Sequence, residues 1–256
     1  MTCKRFGPVL ACLALPALLL AVAAPAFARS DEISFSPLDE TRYDVSRESV
    51  VQLLCSEGDS PRLHLSRAVA LAYRPDGADF DILLATRHGV TGQNGFRQCR
   101  VRGVPAEQGE IMAVSAGEPD PRDTSQFSQD WAILVTRGRL PDSLPRLRVL
   151  ASTGQAEGRL TFLRRPVEQA PCDLPDAPDY LTDPSLILHD CDRRPGLSGT
   201  PLVTQIGDEP YVVALHVGHY LVLDGDRREY GVARRVSDDF LDALNTVLVQ
   251  AEIARR

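Results

Sequence analysis

Between residues 50 and 236 the chain is a succession of short apolar runs, each cut off by turn residues. Val50-Val51-Gln52-Leu53-Leu54 stops at Glu57-Gly58-Asp59-Ser60-Pro61, and Ala68-Val69-Ala70-Leu71-Ala72-Tyr73 stops at Pro75-Asp76-Gly77. Further runs fall at 80–85, 111–114, 147–151, 160–163, 186–188, 202–203, 211–217 and 230–236. Runs this short cannot present a helical packing face, but as strands they bury one side against a shared core. The pattern therefore predicts an all-β chain, a barrel or a sandwich. Residues 137–145 hold Gly138, Pro141, Asp142, Ser143 and Pro145, the composition of a linker between two halves.

One stretch breaks the pattern. Over 237–254, Phe240, Leu241, Leu244, Val247, Leu248 and Ala251 recur at helical spacing. Ser237 is placed to cap that helix, and Asp238 and Asp239 suit its positive end. The N-terminus reads as a secretory leader: Lys4 and Arg5 precede an uncharged apolar run, which ends in Ala26-Phe27-Ala28. Cleavage is expected after Ala28, with a retained membrane anchor as the rival. Residues 29–47 are polar and mixed, and read as a tail, a pro-segment or an ordered arm.

Removing the leader takes Lys4 and Arg5 from the 28 basic residues and leaves 26 against 35 acidic ones, a net charge of −9. That balance argues against nucleic acid as a partner. Four cysteines remain, Cys55, Cys99, Cys172 and Cys191. An even count in an exported chain predicts two disulfides, with three possible connectivities. Pairs Cys55–Cys99 and Cys172–Cys191 are preferred, because each stays within one half.

The chemistry concentrates in three places. Gly196-Leu197-Ser198-Gly199-Thr200-Pro201 is a glycine–serine turn that can aim the N–H groups of Gly196 and Ser198 at one point. A serine is a poor nucleophile without a base. Upstream, the apolar strand Leu83-Leu84-Ala85 leads through Thr86-Arg87 to His88. Between them, Asp130 heads the apolar stretch Trp131-Ala132-Ile133-Leu134-Val135, where a carboxylate is costly to bury unless something hydrogen-bonds it.

The three motifs, in the order His88, Asp130, Ser198, resemble those of trypsin-like, chymotrypsin-fold serine proteases. The α/β-hydrolase order is different, and Thr200 breaks that fold's Gly-x-Ser-x-Gly elbow. Leu215-His216-Val217-Gly218 and Tyr230-Gly231-Val232-Ala233-Arg234-Arg235-Val236 resemble the family's pocket-lining and pre-helix segments. Two departures point to the bacterial secreted type, similar to glutamyl endopeptidases. Gly89 stands where animal members have a cysteine, and Leu197 stands where they hold the aspartate that pairs with a new N-terminal ammonium.

The resemblance implies two six-stranded antiparallel β-barrels packed together with a C-terminal α-helix. The segments are then a leader (1–28), an arm or pro-segment (29–47), a first barrel (48–140), a second barrel (141–236) and the helix (237–256). It implies His88, Asp130 and Ser198 as a triad, Gly196 and Ser198 as oxyanion hole, and Asp192, Arg193, His216, Gly218 and Gly231 around the substrate side chain. Asp192 falls where trypsin keeps the aspartate for basic P1 residues. His216 falls where glutamyl endopeptidases bind acidic ones, with Arg193 in the place of their threonine. Acidic or small P1 is preferred and basic P1 stays open. The expected substrate is a peptide or protein, cut by a monomer with no cofactor or metal and no membrane association once the leader is gone. The competing expectation is a non-catalytic module of the same fold that binds a peptide or partner. His216 and His219, three apart, need at least one more ligand to hold a metal, and on a strand end they diverge.

Overall fold

The structure is a computed structural model that describes residues 28–30 and 34–254, apart from 59–61, 75–76, 119–124, 153–156, 165–170, 177–182, 193 and 225. The expected leader, but for Ala28, lies outside the described residues, as does Arg193.

The chain enters through β1 (Ala28–Ser30), β2 (Ser34–Phe35) and a short helix, α1 (Glu40–Ser46). Asp39 caps α1 by accepting from the Arg42 N–H at 2.8 Å. Phe35, Leu38 and Tyr43 are buried. The Leu38 N–H donates to Thr161 Oγ1 at 2.8 Å, and the Tyr43 hydroxyl to the Arg164 carbonyl at 2.9 Å. Residues 34–47 are thereby tied to the second half of the chain.

The first sheet takes β3 (Val50–Ser56), β4 (Leu63–Leu71) and β5 (Ile82–Ala85). A single helical turn, α2 (Arg87–Val90), and the hairpin β6 (Thr91–Gly92) and β7 (Gly95–Phe96) follow. Then come β8 (Gln98–Val101), the turn α3 (Ala106–Gly109), β9 (Ile111–Ala116) and β10 (Ala132–Thr136). The six strands run antiparallel in the order β8-β3-β4-β5-β10-β9, and a bridge between Arg100 and Glu110 brings the two edges together.

The second half holds β11 (Arg148–Ser152), β12 (Glu157–Phe162), β13 (Pro171–Asp173) and β14 (Leu186–His189). It continues with β15 (Pro201–Ile206), β16 (Glu209–Asp224) and β17 (Asp226–Arg235). Six of these strands pair antiparallel in the order β13-β12-β15-β16-β17-β14. The Asp190 N–H, donating to the Asp173 carbonyl at 3.2 Å, links the two edges. Numbered one to six within each half, the strands follow one cyclic order, 1-2-3-6-5-4, in both. The expected pair of six-stranded antiparallel units is therefore present. The second sheet is widened by three strands laid parallel to it: β11 on β16, β1 on β11 and β2 on β12.

Period-two alternation gives the first sheet two apolar faces. Leu53, Cys55, Ala68, Ala70, Leu83, Ala85 and Leu134 fill its own core. Val69, Leu71, Ile82, Leu84 and Ile133 share a second core with Val149, Val203, Val212 and Leu215. The helix α4 (Asp238–Ala254) closes that shared core with Phe240, Leu241, Leu244, Val247 and Leu248, and Phe240 meets Trp131 edge-on at 5.6 Å. The cysteine pairs Cys55–Cys99 and Cys172–Cys191 lie at bonding distance, the first directly across β3 and β8. The expected linker is tied down by Asp81, whose carboxylate accepts from the Leu140 N–H at 2.8 Å.

Candidate functional site

His88 lies in the one-turn helix α2, just beyond the buried end of β5. Its backbone N–H donates to Asp130 Oδ1 at 2.8 Å, and its Nδ1 lies 2.5 Å from Asp130 Oδ2. Both carboxylate oxygens are thus spent on one residue. Asp130 is buried, whereas the His88 ring is half-exposed. With Asp130 ionised, Nδ1 must carry the proton, so Nε2 presents a lone pair on the open side.

Asp130 is held from the other sheet. Arg234 of β17 is buried, and its Nε donates to the Ser128 carbonyl, two residues before Asp130. Its Nη2 pairs with Asp239 at 2.7 Å. Phe127, which opens the same turn, packs against Gly218, where an added Cβ would lie 2.6 Å from the ring.

The serine turn reaches the same neighbourhood through β4. Gly199 has φ +86°, and an added Cβ would meet the Arg67 carbonyl oxygen at 2.4 Å. Gly89 packs as closely on the preceding residue, its added Cβ lying 2.2 Å from Ser66 Oγ. Ser198-Gly199 and His88-Gly89 therefore rest on consecutive residues of one strand. The turn is fixed by Thr200 N–H to the Leu197 carbonyl at 3.0 Å, and by Gly199 N–H to the His216 carbonyl at 2.9 Å. Leu197 is buried in a core that includes Cys172, Cys191, Phe162 and Leu202, while Ser198 is half-buried and Gly196, at φ +84°, is exposed.

The remaining expected residues divide. His216 is buried at 3% exposure, and its Nδ1 lies 3.0 Å from Nε2 of His189, which is fully buried. Both rings pack near Phe162. Burial above all, with the charges of His219, His88 and Arg67, pushes the His216 pKa down to about 4. Gly231 lies under His189, for an added Cβ would come within 2.1 Å of the imidazole. Gly218 and Gly231 thus make room for the rings of Phe127 and His189. Asp192 forms ion pairs with Arg164 and with Arg194, the latter at 2.6 Å. His219 sits 3.6 Å from Glu229.

Sequence reasoning missed His189, Arg234 and Arg164. His189 ends an apolar run, which marks it as buried, but its partner is 27 residues away. Arg234 follows the buried run Val232-Ala233 and precedes a second buried arginine and Val236, and a charge in such a place needs a fixed partner.

The depressed pKa of His216 has a measurable consequence. The folded state binds fewer protons than the unfolded state wherever His216 stays neutral and a free histidine would not. Its contribution to stability is therefore complete above pH ~6.5 and is lost as pH falls toward 4, about 3 kcal/mol in all. Urea unfolding at pH 7 and pH 4.5 should show a loss about 2 kcal/mol larger in wild type than in His216→Gln. Equal losses in the two proteins would contradict the burial of a neutral imidazole.

No model of a protein family matches the sequence, and no curated protein does. Solved structures do match. One is a Glu endopeptidase in complex with MPD, at TM-score 0.54 and 12% identity, covering 86% of this chain and 99% of that one. Another is a thermostable serine protease from an extremophilic microorganism, at TM-score 0.54 and 12% identity, covering 81% and 99%. A third is the protease Anisep from Arthrobacter nicotinovorans, at TM-score 0.55 and 12% identity, covering 80% and 97%. The chain has the fold of these proteases.

Proposed function

We propose that this chain is an exported serine endopeptidase with His88, Asp130 and Ser198 as its triad. The observation that carries the reading is the double grip of Asp130 on His88, at 2.8 and 2.5 Å, beside a serine turn seated on the same strand. Ser198 Oγ attacks the scissile carbonyl as its proton passes to His88 Nε2. The oxyanion is received by the N–H groups of Gly196 and Ser198. The imidazolium then protonates the leaving amine, and an acyl-enzyme remains. Water, deprotonated by the same nitrogen, attacks the ester, and collapse of that intermediate releases the acid and returns the proton to Ser198.

An acidic or small P1 side chain fits best. The carboxylate of Asp192 is already matched by Arg164 and Arg194, so a basic P1 side chain would have to displace two guanidiniums. His216 is neutral until a carboxylate arrives to favour its protonated form. Leu197, in one core with the Cys172–Cys191 pair, holds the serine turn without a buried N-terminal ammonium, so cleavage after Ala28 is enough for maturation unless residues 29–47 cover the cleft. Export rests on the leader pattern and on two bridged cysteine pairs, which oxidising compartments preserve.

A peptide library digested by the chain beginning at Arg29 tests activity and P1 together. Cleavage after Glu, Asp or small residues is expected. Cleavage confined to Arg and Lys would overturn the specificity reading, and no cleavage by folded protein would favour the non-catalytic module.

A further inference from the structure

A cavity of about 650 Å³ opens beside β3 and β4. Val50, Val104 and Leu144 supply apolar wall, and Arg67 and Arg102 supply charge. Arg67 is half-buried on a strand whose next four residues are fully enclosed. Burial lowers its pKa, and no acidic group contributes to offset that. Among the described residues no carboxylate pairs with its guanidinium. Glu48, the one acidic residue lining the cavity, is exposed and lies 3.9 Å from Arg47.

Arg102 is brought to the same wall by Gln52, the residue directly across from Arg67 in the β3–β4 register. The Arg102 N–H donates to the Gln52 carbonyl at 2.8 Å, and Arg102 Nη1 donates to Gln52 Oε1 at 2.7 Å. Two guanidiniums therefore flank one glutamine at the edge of a hollow whose walls are part polar and part apolar. A cation withdrawn from water without a counter-charge is costly, and a carboxylate answers a guanidinium with two parallel hydrogen bonds. The hollow is far larger than a single anion needs and is of the size that takes a small organic ligand or a few residues of peptide.

We propose that this cavity binds the carboxylate end of a peptide, with the carboxylate on Arg67 and Arg102 and the terminal apolar side chain against Val50, Val104 and Leu144. The Arg67 carbonyl is the atom on which Gly199 rests, one residue past Ser198. An occupant that moves or rigidifies Arg67 is thereby felt at the serine turn. Neutralising Arg67 also removes one of the charges that hold His216 unprotonated. That the chain's own cleavage supplies such peptides rests on the proposed peptidase reading; the binding does not.

Calorimetry on the Ser198→Ala protein tests the site without turnover, so it stands even if the chain cuts nothing. The probes are acetyl-Ala-Ala-Val-Leu with a free carboxylate, the same peptide as its C-terminal amide, and inorganic phosphate. The acid should bind about tenfold or more tightly than the amide. Arg67→Gln should bring the acid down to the affinity of the amide, and Arg102→Gln should remove part of the difference. Each variant is first required to unfold cooperatively at the parent's midpoint, and Arg102→Gln serves alone if Arg67→Gln does not. Equal affinity for acid and amide, or no binding, would overturn the proposal. Binding indifferent to the arginine substitutions would place the peptide in the serine cleft and overturn it equally. Phosphate displacing the peptide as strongly as the peptide acid itself would mean an inorganic-anion site instead.

Discussion

Asp130→Asn will lower kcat/KM by about 10³–10⁴-fold while leaving the fold intact. The carboxylate accepts from two donors on His88, the backbone N–H and Nδ1. An asparagine keeps one carbonyl oxygen, which can still accept from the backbone N–H. Its amide N–H₂ then faces Nδ1, and a donor facing a donor forces the imidazole into its other tautomer. The proton moves to Nε2, the atom that must take the proton of Ser198, and the base is lost. Ser198→Ala and His88→Ala should each cost at least about 10³-fold, and the double variant should be no slower than either single one, because the residues act as a unit. Steady-state kinetics on a single good peptide substrate measures all of this. An Asp130→Asn protein within about tenfold of wild type would remove Asp130 from the mechanism.

Asp81→Ala will destabilise the protein by about 3–5 kcal/mol, a large part of the total for a chain of this kind. Asp81 is 1% exposed and follows the turn into β5. Its carboxylate accepts from Arg146 Nε at 2.6 Å and Nη2 at 2.9 Å, and from the Leu140 N–H at 2.8 Å. Its own backbone exchanges bonds with Thr136 at the end of β10. One carboxylate thus fastens the segment from Leu140 to Arg146 between the two sheets, and it holds the Arg146 pKa above its ordinary value, chiefly by hydrogen bonding. Removing it leaves Arg146 partly buried without its paired carboxylate, with only the weaker influence of Asp142 remaining, and the Leu140 N–H without that acceptor. Denaturant unfolding of Asp81→Ala against wild type reads the difference, and Asp81→Asn, which keeps the acceptor for Leu140, should lose clearly less. A loss under about 1 kcal/mol for Asp81→Ala would mean that the segment is held by packing alone.

What could be read from the sequence was what repeats locally. The apolar runs announced most of the strands, and the helical spacing of Phe240, Leu241, Leu244, Val247 and Leu248 announced α4. β8 and β13 escaped because Gln98-Cys99-Arg100-Val101 and Pro171-Cys172-Asp173 mix polar with apolar residues and form no continuous apolar run. The arm escaped because Phe35, Leu38 and Tyr43 are single apolar residues in a polar stretch, and their burial depends on strands far ahead in the chain. β16 runs to Asp224, well past the expected Val217, because its outer part pairs with β17 in a hairpin of mixed polarity.

At the candidate site, the motifs pointed to His88, Asp130 and Ser198 and to the neighbourhood of His216. They could not give the partners. Asp192 reads as an open pocket carboxylate until Arg164 is brought to it by the end of β12. Gly218 and Gly231 read as pocket walls until the rings of Phe127 and His189 are seen to occupy the space that their missing side chains leave. In each case the deciding contact joins residues tens of positions apart, and only closure of the sheets brings them together.

The most direct measurement is the reaction of the folded chain beginning at Arg29 with a fluorophosphonate probe, followed by intact-mass and peptide analysis. One probe per chain is expected, on Ser198, with no internal bond cut first. Ser198→Ala should stay unlabelled, and His88→Ala should label at least about 10²-fold more slowly. A folded wild-type chain that stays unlabelled, or one labelled at another residue, would rule out Ser198 as the nucleophile.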